Sequence, residues 1–265
     1  MKIVIISDYT IPELFIIEKV QELYPETAVV VPGESESDEK PVPLIKKRPF
    51  LKHLVNGITW KIHRECWSRK FYPNQTFPEV QNRFPLAWSK LNQSEGIEAI
   101  SRFSPDVLVT LRAPIISDEL IRIPNIAAIN VHSGIAPKYR GNDTIFWPLY
   151  FKDYSYIGGT IHHLTQGVDR GNILAQVQPD LHPFDGEVRL EYKTICQLRE
   201  ALLIFLKKVE SGRVNLSGKE QESIGRNFKS ADRTITKSFL YCGRRMAGLS
   251  MPPKKTRKLF IGSEY

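Results

Sequence analysis

The 265-residue sequence has no apolar run near the roughly 18–20 residues that a bilayer-crossing helix needs. Its opening stretch, Ile3-Val4-Ile5-Ile6, is too short for the hydrophobic part of a secretory signal and reads as a strand, so a cytoplasmic location without membrane contact is expected. Cysteine is scarce. Cys66, Cys196 and Cys242 are odd in number, far apart and free of Cys-x-x-Cys spacing, which excludes a disulfide framework and argues against a cysteine metal site. At this length one hydrophobic core is large enough to stand without such staples. The glycine-rich G-x-G-x-x-G turn is missing too: the first strand runs into Ser7-Asp8-Tyr9-Thr10, which argues against a nicotinamide or flavin dinucleotide in the usual place. Internal repeats and low-complexity tracts are absent, and acidic residues are sparse toward the C-terminal end.

That last shortage carries the net charge. Residues 224–265 hold ten Lys and Arg against Asp232 and Glu264, which accounts for the whole formal charge of +8. A basic tail of this kind either meets a phosphate-bearing or acidic partner or is a solvated surface. The rest of the chain has an ordinary globular composition, 42% hydrophobic and 25% charged.

Lys2–Ser7 is a short β-branched run of the kind that forms a buried strand. From Pro12 to Tyr24, Leu14, Ile17, Val20 and Leu23 recur at helical spacing, with Pro12 in the first turn. Thr27–Val31 is a second strand, closed by Pro32-Gly33. This β-α-β opening predicts an α/β fold, Rossmann-like and doubly wound, with a mostly parallel sheet. Further strands are predicted over Asp106–Thr110, Ile126–Val131, Ile157–Leu164 and Ile173–Val177. Helices are predicted over Ile97–Phe103, Ser117–Ile121, Thr144–Phe151, Val188–Val209 and Thr234–Met246. Residues 44–90 are rich in aromatics (Phe50, Trp60, Trp67, Phe71, Tyr72, Phe77, Phe84, Trp88), have poor periodicity and read as an insertion. The expected organisation is a catalytic domain over 1–212 that contains this insertion, then a short basic C-terminal extension over 213–265.

The polar groups gather between Asn130 and Gln176. Asn130 and His132 flank Val131 at the end of an apolar strand, so period-two geometry puts both on one face. The carboxyl ends of strands in open α/β sheets are where ligands bind. Asp169 follows in a loop between two predicted strands, with Gly167 and Gly171 allowing tight approach. Taken singly, a strand histidine is more often structural, and a turn aspartate commonly bonds its own backbone.

The pattern as a whole is more specific. The run from Asn130 to Gly141, with Asn130-Val131-His132, Pro137 and Tyr139-Arg140-Gly141, followed by Asp169-Arg170-Gly171, resembles the folate-dependent formyltransferase family. That family includes the glycinamide ribonucleotide, methionyl-tRNA and sugar-nucleotide N-formyltransferases. The resemblance covers about Asp106 to Gln176 and departs in two places. The serine usual two residues after the histidine is Gly134 here, with the hydroxyl on Ser133, and the usual Leu-Leu is Ile135-Ala136.

The resemblance implies an enzyme that uses N10-formyltetrahydrofolate as co-substrate, with no metal, and hands the formyl group to a primary amine by direct transfer through a tetrahedral intermediate. Asn130, His132 and Asp169 would be the catalytic residues. Asn130 and His132 would donate to the formyl oxygen as charge builds on it, each such donor typically contributing about 2.7–4 kcal/mol. His132 would also accept the amine proton, and Asp169 would favour its charged form and relay protons. Backbone groups of Arg112-Ala113-Pro114-Ile115 and of Gly167-Val168 would form the folate pocket. The Arg112 side chain would meet a folate glutamate, meet an acceptor phosphate, or stand as a surface charge. Ser133, Lys138, Tyr139, Arg140 and Gly141 would contact the acceptor.

Among acceptors, the resemblance favours the amine of a nucleotide-linked 4-amino-4,6-dideoxy sugar, of the kind used in O-antigen assembly. Its diphosphate would meet Arg140, Lys138, Arg226 or Arg233. The alternatives are methionyl-tRNA or glycinamide ribonucleotide, and a non-catalytic binding protein stands behind them. Methionyl-tRNA enzymes carry a further C-terminal barrel, and the roughly 50 residues after Gly212 are not strand-rich. The expected partners are therefore small molecules rather than nucleic acid, although phosphate contacts from the basic tail keep the tRNA reading open. Apolar residues of 235–251 (Ile235, Phe239, Leu240, Met246, Leu249, Met251) suggest a homodimer.

Overall fold

Strand β1 (Ile3–Ser7) is buried along its whole length, as a continuous β-branched run is when both faces of a sheet are covered. The computed structural model describes residues 1–33, 65–74, 76–213, 215–222 and 225–261, and the chain divides into two units, Met1–Asn130 and Val131–Tyr265.

In the first unit, β1 leads into α1 (Ile11–Leu23), where Pro12 occupies the first turn and Leu14, Ile17 and Val20 turn inward. Next come β2 (Ala28–Pro32), α2 (residues 65–71), β3 (Arg83–Leu86), α3 (Trp88–Leu91), α4 (Ser94–Arg102), β4 (Val107–Leu111) and α5 (Asp118–Ile121). Strand β5 (Ala127–His132) carries the chain out of this unit. The strand order is β3-β2-β1-β4-β5. Strand β1 pairs in parallel with both β2 and β4, and β2 pairs in parallel with β3. The order reverses direction between β1 and β4, which makes this the doubly wound, mostly parallel α/β architecture that the β-α-β opening predicts.

Strand β3 is not predicted by the sequence pattern. Its residues, Arg83-Phe84-Pro85-Leu86, include a proline that lacks an N–H for the ladder, and such residues are confined to edges; β3 is indeed the last strand of the order. Part of the aromatic-rich stretch is core. Trp67, Phe71 and Tyr72 are buried, and the Phe71 and Tyr72 rings lie 4.9 and 6.4 Å from that of Phe15 on α1. Phe50 and Trp60 lie outside the described residues.

The second unit contains β6 (Tyr139–Gly141), α6 (Phe146–Phe151), β7 (Gly159–His163), β8 (Ile173–Gln178), α7 (Glu187–Glu210), β9 (Arg226–Phe228), α8 (Ile235–Met246) and β10 (Lys258–Ile261). Strand β8 pairs antiparallel with both β7 and β10, and β6 pairs in parallel with β9. Helix α7 buries one long stripe (Leu190, Ile195, Leu198, Leu202, Phe205) and stops at Ser211-Gly212, where Gly212 takes the left-handed conformation (φ +65°) common past helix ends. Cys196 lies on this helix, where burial pushes its thiol up and away from reactivity.

The residues after Gly212, expected as an appended extension, are woven into this unit. Phe228 stacks on Trp147 with 4.5 Å between ring centroids, Tyr241 is buried in the same cluster, and Lys258 pairs with Gln178. On α8 and just beyond it, Phe239, Leu240, Met246 and Leu249 are exposed. No helix among the described residues is long and apolar enough to cross a membrane.

Candidate active site

Asn130 closes the first unit near the end of β5. Its Oδ1 accepts a hydrogen bond of 2.8 Å from the Thr110 hydroxyl on β4, which fixes the amide plane and directs the donor NH2 away from Thr110. His132, two residues on, is only 8% exposed. Its Nε2 faces the Tyr139 carbonyl at 3.3 Å, and that oxygen can only accept, so the neutral ring carries its proton on Nε2 and its lone pair on Nδ1. The turn after β5 is held from several sides. Thr144 Oγ1 donates to Ser133 O (2.5 Å), Thr160 Oγ1 to Gly134 O (2.7 Å) and Gln176 Nε2 to Ala136 O (2.7 Å). Gly134 has no room for a side chain: a Cβ there would lie 2.4 Å from His132 Nε2 and 2.7 Å from Tyr139 O. The departure from the usual serine thus leaves the imidazole its space.

Asp169 sits between β7 and β8 with φ +51°, a conformation that non-glycine residues seldom adopt and that clusters at functional sites. Its Oδ2 accepts from the Gly141 amide (2.8 Å) and lies 3.6 Å from His132 Nε2. Its Oδ1 lies 3.3 Å from Nε2 of His162. The structure therefore brings together His132 and Asp169, and adds a buried residue that the sequence pattern does not single out. His162 shares a face of β7 with Thr160, and its Nδ1 contacts the His163 carbonyl at 2.8 Å. Alternation along β7 is a signal for it, but only the β7–β8 hairpin shows which face meets Asp169.

The electrostatics follow from burial and charge. Burial alone would push the Asp169 carboxyl up, but the His132 and His162 rings and the Gly141 N–H outweigh it and hold the group far below the usual carboxylate range. Burial lowers His132 below its ordinary value, with the His162 ring assisting and Asp169 opposing. His132 is thus neutral near pH 7 and able to take a proton, beside a fixed carboxylate that steadies the charged form. In NMR titration, the His132 midpoint is expected below 6.5, and Asp169→Asn is expected to lower it further because the opposing charge is gone. A midpoint that rises in the variant would contradict this arrangement.

Several residues expected to contact substrate have other duties. Arg140 is 3% exposed and donates to the backbone carbonyls of Val168 (3.0 Å) and Gly225 (2.6 Å), so it is not available to a phosphate. Tyr139 is buried, donates to Asp153 (3.0 Å) and stacks on Phe228. Gly141 contributes its N–H to Asp169 rather than to a ligand. Arg233 forms a two-pronged pair with Glu187 (2.6 and 2.9 Å) and a 2.8 Å bond to Asp143, which likewise removes it as a phosphate ligand. Lys138, just before β6, and Arg226, the first residue of β9, are exposed, with the Arg226 amide donating to the Lys138 carbonyl.

In the first unit, Arg112 follows β4 with its guanidinium 3.6 Å from Asp8 and 3.8 Å from Glu13. Burial and the neighbouring Glu13 push the Asp8 carboxyl well above the usual range, and Arg112 offsets only part of this. Arg112 thus lies within ion-pair distance of two acidic side chains of its own unit. Ala113 and Pro114 are half-buried and Ile115 is exposed; in the second unit Gly167 is exposed with φ +98°, and Val168 is half-buried.

Over 129 residues the chain is 32% identical to the methionyl-tRNA formyltransferase of Kosmotoga olearia, a match that covers 48% of this chain and 41% of that protein. The chain spans less than half the length of the curated relatives it matches. A sugar N-formyltransferase structure from a Shewanella species shares the fold with a TM-score of 0.60 at 14% identity, covering 92% of this chain and 87% of that one. An N-formyltransferase from Helicobacter canadensis, solved with folinic acid and dTDP-3-aminofucose, has a TM-score of 0.55 at 14% identity, covering 89% and 73%. The family described as formyl transferase matches residues 54–204, more than half of the sequence and the whole stretch from Asn130 to Asp169, so this chain belongs to the formyltransferase family.

Proposed function

We propose that the protein moves a formyl group from N10-formyltetrahydrofolate to the primary amine of a nucleotide-linked amino sugar, a 4-amino-4,6-dideoxyhexose. The observation that carries this reading is the buried pair of His132, on the strand that also bears the Oδ1-anchored Asn130, with Asp169 from the turn between β7 and β8. When an amine adds to a formyl carbon, it sheds a proton and negative charge gathers on the formyl oxygen. His132 Nδ1 takes the proton, since Nε2 is engaged by the Tyr139 carbonyl and faces Asp169. The Asn130 NH2 donates to the oxygen, and its tether to Thr110 spares it reorganisation as the charge forms. Asp169, ionised throughout, stabilises the resulting imidazolium. The tetrahedral intermediate then collapses: the C=O bond re-forms, the bond from carbon to N10 breaks, and the imidazolium gives its proton to N10, which leaves as tetrahydrofolate. No covalent bond to the protein is needed.

The folate ring would be read by backbone groups. Thr165, Gln166 and Gly167 are exposed beside the buried Asp169, which suits a flat ring that meets main-chain donors and acceptors. With Arg140 and Arg233 committed elsewhere, Lys138 and Arg226 are the cations we assign to the acceptor's phosphates. A nucleotide sugar fits this small exposed pair, and the Helicobacter neighbour crystallised with such a compound supports the choice. The curated relatives that act on methionyl-tRNA keep a second acceptor in view.

The test is release of tetrahydrofolate, followed by absorbance, with dTDP- and UDP-linked 4-amino-4,6-dideoxyhexoses, glycinamide ribonucleotide and methionyl-tRNA as acceptors. Turnover with a nucleotide sugar and not with the other two is expected. Turnover with methionyl-tRNA alone would replace the acceptor, and turnover with none would overturn formyl transfer.

A further inference from the structure

The loop that carries Asp169 is fastened through its backbone. Arg140 Nη1 holds the Val168 carbonyl at 3.0 Å, and the Gln221 side-chain amide holds the carbonyls of Asp169 (3.0 Å) and Gly171 (2.7 Å). Both fasteners tie the loop to the segment after Gly212. Gln221 belongs to that segment, and the other arm of Arg140 grips Gly225 at 2.6 Å. The segment is itself fixed. Lys219 and Ile173 exchange backbone hydrogen bonds of 2.7 and 2.8 Å, and β9 pairs along β6. Gly225 lies so close to the turn after β5 that a Cβ would fall 1.6 Å from Pro137 O.

A left-handed aspartate persists only where its surroundings over-determine it. We propose that Gln221 is a positioning residue for Asp169: by donating to the two loop carbonyls it keeps the left-handed turn in place and the carboxylate aimed at His132. The role suits an amide. Its Nε2 has two N–H groups and two carbonyls within reach. The basic segment thus serves the site through a neutral side chain rather than through its cations.

The kinetic part of the test rests on the formyl-transfer reading; the structural part does not. The Gly141 amide donates to Asp169 Oδ2, whereas the next amide, that of Asn142, donates to Phe228 O at 2.8 Å. In Gln221→Leu, hydrogen exchange at Gly141 is expected to quicken about tenfold while Asn142 stays near wild type, a local opening rather than a global one. The kcat is expected to fall about tenfold to a hundredfold with little change in either KM, as for a misplaced reacting group. Gln221→Lys retains N–H donors and is expected to restore both readouts; Gln221→Glu, which repels the two carbonyls, is not. Should the leucine variant fail to fold, the lysine and glutamate pair decides alone. Equal quickening at Gly141 and Asn142, no change at Gly141, or failure of lysine to rescue would overturn the proposal. If the wild type formylates no amine, hydrogen exchange at Gly141 and Asn142 still tests the role of Gln221.

Discussion

His132→Ala is expected to lower kcat for formyl transfer by about 10²–10⁴-fold, the usual range for removal of a positioned general base. Under the proposed mechanism the ring acts on the proton in flight, so the loss falls on kcat and the KM for the acceptor should change little. The residue's surroundings make the effect specific. Nε2 is turned toward the Tyr139 carbonyl and Asp169, so neither the base nor its orientation has a substitute nearby. His162 meets the same carboxylate from the other side, through Oδ1, and its ring is already engaged there. Single-turnover absorbance measurements with saturating folate would check the prediction. Activity within threefold of wild type would remove His132 from the mechanism.

Gly134→Ala is the second large effect, and it comes from space alone. The added methyl would sit 2.4 Å from His132 Nε2, 2.7 Å from Tyr139 O and 2.8 Å from Thr144 Cβ. One of these is backbone, and Thr144 is held by its bond to Ser133 O, so the imidazole has to move. A displacement near 1 Å at a reacting group costs about 10²-fold in rate, and overpacking a tight interior costs about 1–3 kcal/mol of stability. Both losses are expected together: a lower Tm and transfer reduced by about two orders of magnitude. Gly243→Ala is the control, since a Cβ at that position on α8 meets nothing within 4 Å. If Gly134→Ala melts and turns over like wild type, the imidazole is not confined as described.

The histidine and aspartate at the centre of both effects are legible in the sequence. An Asn-x-His at the end of an apolar strand and an Asp set between glycines are local patterns, and the sheet turns the first of them to one face by period alone. His162 is not legible in the same way. It is one of two adjacent histidines on β7, and whether His162 or His163 faces Asp169 depends on how β7 and β8 pair, where the register shifts between Ile161 and His162. Edge strand β3 is hidden for a different reason: four residues with an internal proline carry too little periodicity to be told from a loop.

The arginines show where local patterns stop being informative. Arg140 and Arg233 look alike in the sequence, two cations suited to a diphosphate. Their partners are Val168, Gly225, Glu187 and Asp143, the last of them 90 residues from Arg233. The sequence alone determined the β-α-β architecture, the helix ends at Gly212 and Thr234, and the strand end that presents Asn130 and His132, because each of these depends on neighbours within a few residues. Only the tertiary structure decided which charges are clamps and which remain at the surface, and that the segment after Gly212 braces the Asp169 loop. A charge or an amide acquires its role from whatever the folded chain brings within hydrogen-bond reach, and local spacing does not record that.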